Sequence, residues 1–230
     1  AHEARAWGAD RVFVFATAAA RRAEKGDAFV RLVKEKCGLD VDVISGEKEA
    51  ETGLYGALGG KAGGIIDVGG ASSEVTVSDG DKIVYAKSLD LGAVRLTEMC
   101  GGSPEKARAA VGEKLPFYGE IPACRMTAIG GTATSVVALE KQLSVYDPQK
   151  VHGIVLAVDK IMEWADRLLH MTQEERLALP GMDPRRADVL GSGALLLGMI
   201  AGYAGVNEVT VSEADNLEGY IAVKLREGAI

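Results

Sequence analysis

Twice in this chain an apolar run, short enough to be one buried strand, ends on paired glycines followed by hydroxyl residues. The first is Ile65-Ile66-Asp67-Val68-Gly69-Gly70-Ala71-Ser72-Ser73-Glu74, and the second is Met126-Thr127-Ala128-Ile129-Gly130-Gly131-Thr132. Glycines at such a turn let backbone N–H groups close on the oxygens of an anion. Where a helix follows, as after Gly131, its free N–H groups and dipole attract anions as well. Each loop alone also reads as plain architecture, a glycine hairpin with a capping aspartate or a strand–helix turn. Two in one chain point to a phosphate-bearing ligand. Asp67, an acid at a strand end beside such a turn, suits Mg²⁺, which keeps most of its waters and needs few protein ligands.

The rest of the chain places these loops in an α/β fold. Strand-like runs are Arg11–Ala16, Leu39–Ile44, Gly64–Val68, Glu74–Ser78, Lys82–Ser88, Arg125–Ile129 and Glu208–Val211. Asp79-Gly80 is a hairpin signal between two of them. Helices are predicted over Asp27–Cys37, with Gly38 as the stop, over 46–58 and around Val94–Met99. Ser103-Pro104 is a helix start with serine as N-cap and proline in the first turn. Further helices are expected at Thr132–Lys141, from Asp183-Pro184 through a long apolar run, and at the end to about Glu227. Thr172 with Glu175 has the spacing of a capping box. Strands alternate with helices and one meander interrupts them, which is a two-lobed α/β chain. The glycine-rich stretch from Leu58 to Gly64 is the best hinge between the lobes.

Composition narrows the partners. With 26 Lys and Arg against 33 Asp and Glu, the formal charge is −7, opposite to that of a bulk nucleic-acid binder. An anionic ligand therefore needs a local positive site. Cys37, Cys100 and Cys124 are few, odd in number and without a CxxC spacing, as expected of reduced thiols in the cytoplasm. The 18 uncharged residues from Val189 to Val206 reach the lower edge of a membrane span. The run is broken by glycines and follows Arg185, Arg186 and Asp188, so a buried core helix is predicted.

Two further segments carry candidate chemistry. Ile44-Ser45-Gly46-Glu47-Lys48-Glu49-Ala50-Glu51 crowds carboxylates at a helix start. With Gly46 as N-cap, Glu49 falls at the third helical position, where it either caps the helix or orients an attacking water. Arg21, in Ala16-Thr17-Ala18-Ala19-Ala20-Arg21, follows a strand end and either clamps a phosphate bidentately or is simply solvated.

Taken in order, these segments resemble the Ppx/GppA group of exopolyphosphatases and guanosine pentaphosphate phosphatases, which have the actin-like ATPase (ribonuclease H-like) fold. Ala16 to Arg21 is similar to ATSALR, Ile44 to Ala50 to ISGxEEA, Asp67 to Glu74 to DIGGGSTE, and Leu91 to Glu98 to LGAVRLTE. Gly130-Gly131-Thr132 resembles the second phosphate loop. Tyr146-Asp147-Pro148, Val151-His152-Gly153 and Arg186-Ala187-Asp188-Val189 are further marks. The resemblance covers nearly the whole chain and implies roles residue by residue. Glu49 would activate water, and Asp67 and Glu74 would lie near Mg²⁺. Gly69, Gly70, Ser72, Gly130, Gly131 and Thr132 would line the phosphate loops, and Arg21 would reach the phosphate chain. It implies a cytoplasmic, Mg²⁺-dependent enzyme acting on polyphosphate or guanosine pentaphosphate, with no nucleic-acid polymer, no membrane and room for a homodimer. It also implies a first lobe over 1–62, incomplete at its N-terminus, and a second over 63–230 whose final helix could return to the first.

Three departures stand out. Nothing matches the family's DxGSNS first phosphate loop. Lys48 and Glu51 stand where the family often has glutamate and arginine. The late LREG motif falls by spacing on Leu217, losing its arginine, unless Leu225-Arg226-Glu227-Gly228 is that motif after an insertion. The expected function is hydrolysis of a terminal phosphoanhydride. A non-catalytic nucleotide- or phosphate-binding module is the rival reading, favoured by the missing first loop, and a small-molecule kinase of the same fold is a third.

Overall fold

The computed structural model describes residues 1–228. It divides into a smaller compact unit, Ala1–Glu49, and a larger one beginning at Ala50. The smaller unit holds α1 (His2–Ala6), β1 (Val14–Ala16), α2 (Ala18–Arg22), α3 (Gly26–Cys37), β2 (Val41–Val43) and the first residues of α4 (Gly46–Leu58). β1 and β2 are parallel, with Val14 opposite Val41 and Ala16 opposite Val43. α3 stops where the sequence predicts. Gly38 takes the left-handed conformation (φ 68°) and donates to the Lys34 carbonyl, a turn that favours glycine.

The start of α4 corrects the expected cap. Gly46 is already helical, and Ser45 caps it, its Oγ accepting the Lys48 N–H at 3.1 Å. Glu49 is thus one position beyond the capping site, and its N–H bonds the Ser45 carbonyl as an ordinary helical residue.

The larger unit is built on a six-stranded sheet of β3 (Gly63–Val68), β4 (Ser73–Ser78), β5 (Ile83–Leu89), β6 (Met126–Ile129), β7 (Ile154–Ala157) and β8 (Glu208–Val211), in the order β5-β4-β3-β6-β8-β7. β3, β6 and β8 run parallel. The β3–β4–β5 meander is antiparallel, and β7 lies antiparallel to β8 at the other edge. The sequence signals missed β7, a four-residue strand at the edge of the sheet. Its helices are α5 (Ala93–Cys100), α6 (Pro104–Lys114), α7 (Gly130–Glu140), α8 (Pro148–Val151), α9 (Val158–His170), α10 (Gln173–Leu177), α11 (Leu190–Tyr203) and α12 (Asn216–Arg226). The expected caps form: Ser103 accepts the Lys106 N–H, and Thr172 and Glu175 close a reciprocal capping box.

β3 shows why the site lies where it does. Its side chains alternate. Ile66 and Val68 enter the main core with α11, while Ile65 packs on the other face with Ile129 and Leu54 of α4. Asp67 shares that second face. α11 is the long apolar run, and Leu195, Leu196 and Ile200 within it are wholly buried. Among the described residues no helix is long and apolar enough to cross a membrane. α11 begins at Leu190 rather than at the expected Asp183-Pro184. Asp183 accepts the Arg185 N–H and holds its guanidinium, and the chain advances through three-residue turns as far as Val189. A side chain that bonds its own backbone two residues on favours a turn over a helix interior.

α4 and α12 cross backbone to backbone. A Cβ on Gly219 would lie 1.7 Å from the Thr52 carbonyl oxygen, and one on Gly56 would lie 1.8 Å from that of Asp215. Neither obstacle is a flexible side chain, so the helices themselves must separate. Gly219→Ala is expected to destabilise the protein by about 3 kcal/mol, at the upper end for overpacking. Urea denaturation of the two proteins checks this, and a change below about 1 kcal/mol would show that the crossing yields easily.

Candidate active site

The first glycine turn is shaped by the helix that follows the meander. The Gly69 carbonyl accepts the Ala93 N–H at 2.8 Å, and that of Gly70 accepts the N–H groups of Val94 and Arg95 at 2.9 and 3.1 Å. The loop therefore fills the N-terminus of α5. In a trans peptide the C=O and the following N–H point in opposite directions, so the N–H groups of Gly70 and Ala71 are turned away from α5. Neither has an acceptor among the described residues. The Gly69 N–H is taken by the Ser72 carbonyl at 3.0 Å. Gly69 and Ser72 thus close the turn, while Gly70 and Ala71 supply its open donors. The helix start must come close for this. A Cβ on Gly92 would sit 2.5 Å from the Gly70 carbonyl group, a close approach that the glycine spacing did not single out.

The second turn opens α7 directly. Gly130, Gly131 and Thr132 are its first three residues, and no side chain caps it, so their N–H groups are the unpaired donors of a helix start. Thr132 is 3% exposed and its hydroxyl donates to the Val68 carbonyl at 3.1 Å. It ties the two loops together rather than presenting its oxygen outward. Gly130 has φ 77°, and a Cβ there would lie 2.8 Å from Asp67 Oδ1.

Asp67 and Glu74 stand directly opposite one another on the β3–β4 ladder and so share a face. Asp67 Oδ2 accepts from Asn216 Nδ2 at 3.4 Å, and Glu74 accepts from the Ser88 hydroxyl at 2.7 Å. A cavity of about 230 Å³ lies here, lined by Asp67, both glycine turns and Arg186. No group of three or more His, Cys, Asp or Glu among the described residues could hold a metal. One or two carboxylates beside the glycine turns is the sparse oxygen set that Mg²⁺ accepts.

Arg186 is the residue the sequence signals passed over as a site. Its guanidinium lies across Gly131, where a Cβ would meet its Nη2 at 1.8 Å. It is half-buried and without an ion-pair partner among the described residues. Its only sequence trace was the Arg186–Val189 resemblance, and its contact with Gly131 is purely tertiary. Arg186 also borders a larger cavity of about 510 Å³, whose walls include Leu143, Tyr146, Met182 and Glu213. The Tyr146 hydroxyl bonds both Glu213 oxygens, at 2.6 and 2.8 Å. Burial, aided by that carboxylate, pushes its pKa up to about 12. Asp215 nearby is likewise raised, chiefly by burial.

In the smaller unit Arg21 and Glu49 form an ion pair at 3.0 Å, and the same Arg21 nitrogen donates to the Ile44 carbonyl at 2.6 Å. The pair is partly buried, with 26% and 18% of the side chains exposed. Arg21 thereby fixes the carboxylate on the first turn of α4.

Known proteins resemble the chain over nearly its whole length. A model of the Ppx/GppA phosphatase family matches residues 1–227. Exopolyphosphatase 2 of Mycobacterium tuberculosis is 35% identical over 242 residues, which take in 94% of this chain and 75% of that protein. A bifunctional 3-dehydroquinate synthase/phosphatase of Fusobacterium nucleatum is 30% identical over 91% of this chain, although that is only 34% of its own length. The crystal structure of an Aquifex aeolicus member of the family superposes with a TM-score of 0.84 at 29% identity, covering 99% of this chain and 78% of that one.

Proposed function

The chain belongs to the Ppx/GppA phosphatase family, of actin-like ATPase fold, and from that premise we propose that it hydrolyses the terminal phosphoanhydride of polyphosphate or guanosine pentaphosphate. The observation that carries this reading is the convergence of two sets of open backbone N–H groups, one carboxylate and one uncommitted guanidinium on a single cavity. Preorganised donors of this kind stabilise charge developing on a phosphoryl group without reorganising during the reaction.

In this reading the terminal phosphoryl oxygens take the N–H groups of Gly70, Ala71 and the first turn of α7, with Arg186 forking onto them. Glu49, the base that the family resemblance implies, would accept a proton from the attacking water. The water oxygen bonds phosphorus, the bridging P–O bond breaks, and its electron pair leaves with the shortened chain. Asp67, with Glu74 opposite, would hold Mg²⁺ through water, and that ion supplies charge neutralisation at the phosphoryl oxygens. Asp67→Ala is therefore expected to raise the Mg²⁺ concentration for half-maximal rate about tenfold and to cut the maximal rate. An unchanged Mg²⁺ titration removes Asp67 from the ion's surroundings.

The larger cavity bears on the substrate. Its volume is in the range that takes an organic ligand, and Leu143 and Met182 give an apolar wall that a bare phosphate chain cannot use. That favours a phosphate chain attached to a nucleoside. Measuring phosphate release from guanosine pentaphosphate and from long-chain polyphosphate side by side tests both levels. Faster turnover of polyphosphate overturns the nucleoside preference. Phosphate binding without turnover of either would make the chain a binding module.

A further inference from the structure

Asn216 stands next to Leu217, the position on which the family's LREG falls by spacing, and the structure puts Asn216 to use. Its Nδ2 donates to Asp67 Oδ2 at 3.4 Å, and its Oδ1 accepts the Thr52 hydroxyl at 2.8 Å. Thr52 is wholly buried on α4, three residues after Glu49. The amide can face only one way. An ionised carboxylate only accepts hydrogen bonds, so the NH₂ end must meet Asp67 and leave the carbonyl end for the hydroxyl.

Three contacts hold this bridge rigid. Gly219 and Gly56 press the two helices together one turn from Asn216. Gly53 leaves the room for its Oδ1, since a Cβ there would come within 3.4 Å of it. Asp215 accepts the Leu217 N–H and closes a capping box with Glu218, which fixes the first turn of α12. The outcome is an oriented carboxylate: Asp67 Oδ2 is turned to Asn216, while Oδ1 lies against Gly130 beside the open amides of α7.

We propose that Asn216 is a positioning residue for Asp67, a side-chain amide anchored by Thr52 that sets which carboxylate oxygen faces the second glycine turn. The inference rests on the phosphoanhydride reading for its kinetic consequence but not for the bridge itself. A leucine at this place could fill the volume but could not orient a carboxylate. Losing one hydrogen bond to a charged group, here a long one, corresponds to about a tenfold effect.

The test uses the full chain as wild type, N216L, N216D and T52V. In the ligand-free protein, nitrogen-15 NMR follows the Asn216 side-chain amide. Its protons are expected to exchange at least tenfold faster in T52V, which lacks the anchoring hydroxyl. Unchanged exchange overturns the bridge, whether or not the chain hydrolyses anything. In phosphate-release assays N216L is expected to lose about tenfold in kcat, with KM within twofold. N216D keeps the size and the Thr52 bond but sets a second carboxylate against Asp67, so it should be slower than N216L. A role in packing alone predicts the opposite order, with N216D close to wild type, and that result would overturn the proposal. The double variant N216L/T52V should be no slower than N216L, because both act through one contact; additive losses would also overturn it. If wild type releases no phosphate, the hydrolase reading fails while the exchange experiment still decides the bridge.

Discussion

Glu49→Gln should leave between about one hundredth and one ten-thousandth of the wild-type turnover, the usual loss when a positioned base is removed, while phosphate still binds. The substitution is clean for structural reasons. Ser45, not Glu49, caps α4, so the helix start does not depend on the carboxylate. Glutamine keeps an oxygen that can accept from Arg21, so the 3.0 Å contact can persist without its charge. The ion pair is partly exposed, and such pairs contribute about 0–1 kcal/mol, so unfolding in urea should shift by no more than that. What is lost is the ability to take a proton. Rates of phosphate release measure the first effect, and calorimetric titration with inorganic phosphate the second. Near-normal turnover would reduce Glu49 to an anchor for Arg21. Loss of turnover together with loss of phosphate affinity would mean that it shapes the binding site rather than acting on water.

How far the sequence could be read depends on whether a signal is local. Gly38, the Ser103-Pro104 start and the Thr172–Glu175 box are decided within four residues, and each forms as expected. The buried strands with their glycine stops are nearly as local, because apolar residues and missing side chains mark both ends. Where two local signals compete, reading fails. Ser45 and Gly46 are both acceptable caps, and only the hydroxyl bond to Lys48 selects the serine. Asp183-Pro184 has the composition of a helix start, but Arg185 draws Asp183 into a turn and the helix waits until Leu190. β7 is four residues long and exists because β8 offers it an edge.

The candidate site was legible in its glycines and acids and hidden in its partners. Which N–H groups of the first turn stay open is decided by α5, more than twenty residues later in the chain, and so the donors are Gly70 and Ala71 while Gly69 closes the turn. Thr132 and Ser72 have side chains suited to phosphate, yet the Thr132 hydroxyl is committed to Val68 and Ser72 is buried. Their placement depends on how β3 and β6 sit side by side, which no short window encodes. Arg186 is the clearest case. The sequence marks Gly131 for its backbone N–H, and glycine is also the only residue type that leaves room there for the guanidinium on the loop.

That double role makes Arg186 the second large lever on activity. Arg186→Ala is expected to cut kcat/KM by about 10²–10³, the loss typical of removing one preorganised donor to a developing charge. Arg186→Lys should recover only part of it, because a point charge cannot fork onto two phosphoryl oxygens. The decisive variant leaves the arginine in place. In Gly131→Ala the new methyl would collide with the guanidinium, which lies 1.8 Å from that position, and Arg186 would have to swing off the loop. Alanine is a good helix former, so the first turn of α7 should survive. Gly131→Ala should therefore resemble Arg186→Ala in rate and in phosphate affinity, although the total charge is unchanged. Combining the two should cost little beyond Arg186→Ala alone, since each removes the same contact. Phosphate release and calorimetric phosphate titration across wild type and the four variants give the answer. If Gly131→Ala keeps wild-type kinetics while Arg186→Ala does not, the arginine acts from somewhere other than the glycine turn. If Arg186→Ala stays within threefold of wild type, the guanidinium is packing for the loop and the phosphate is gripped by the backbone alone.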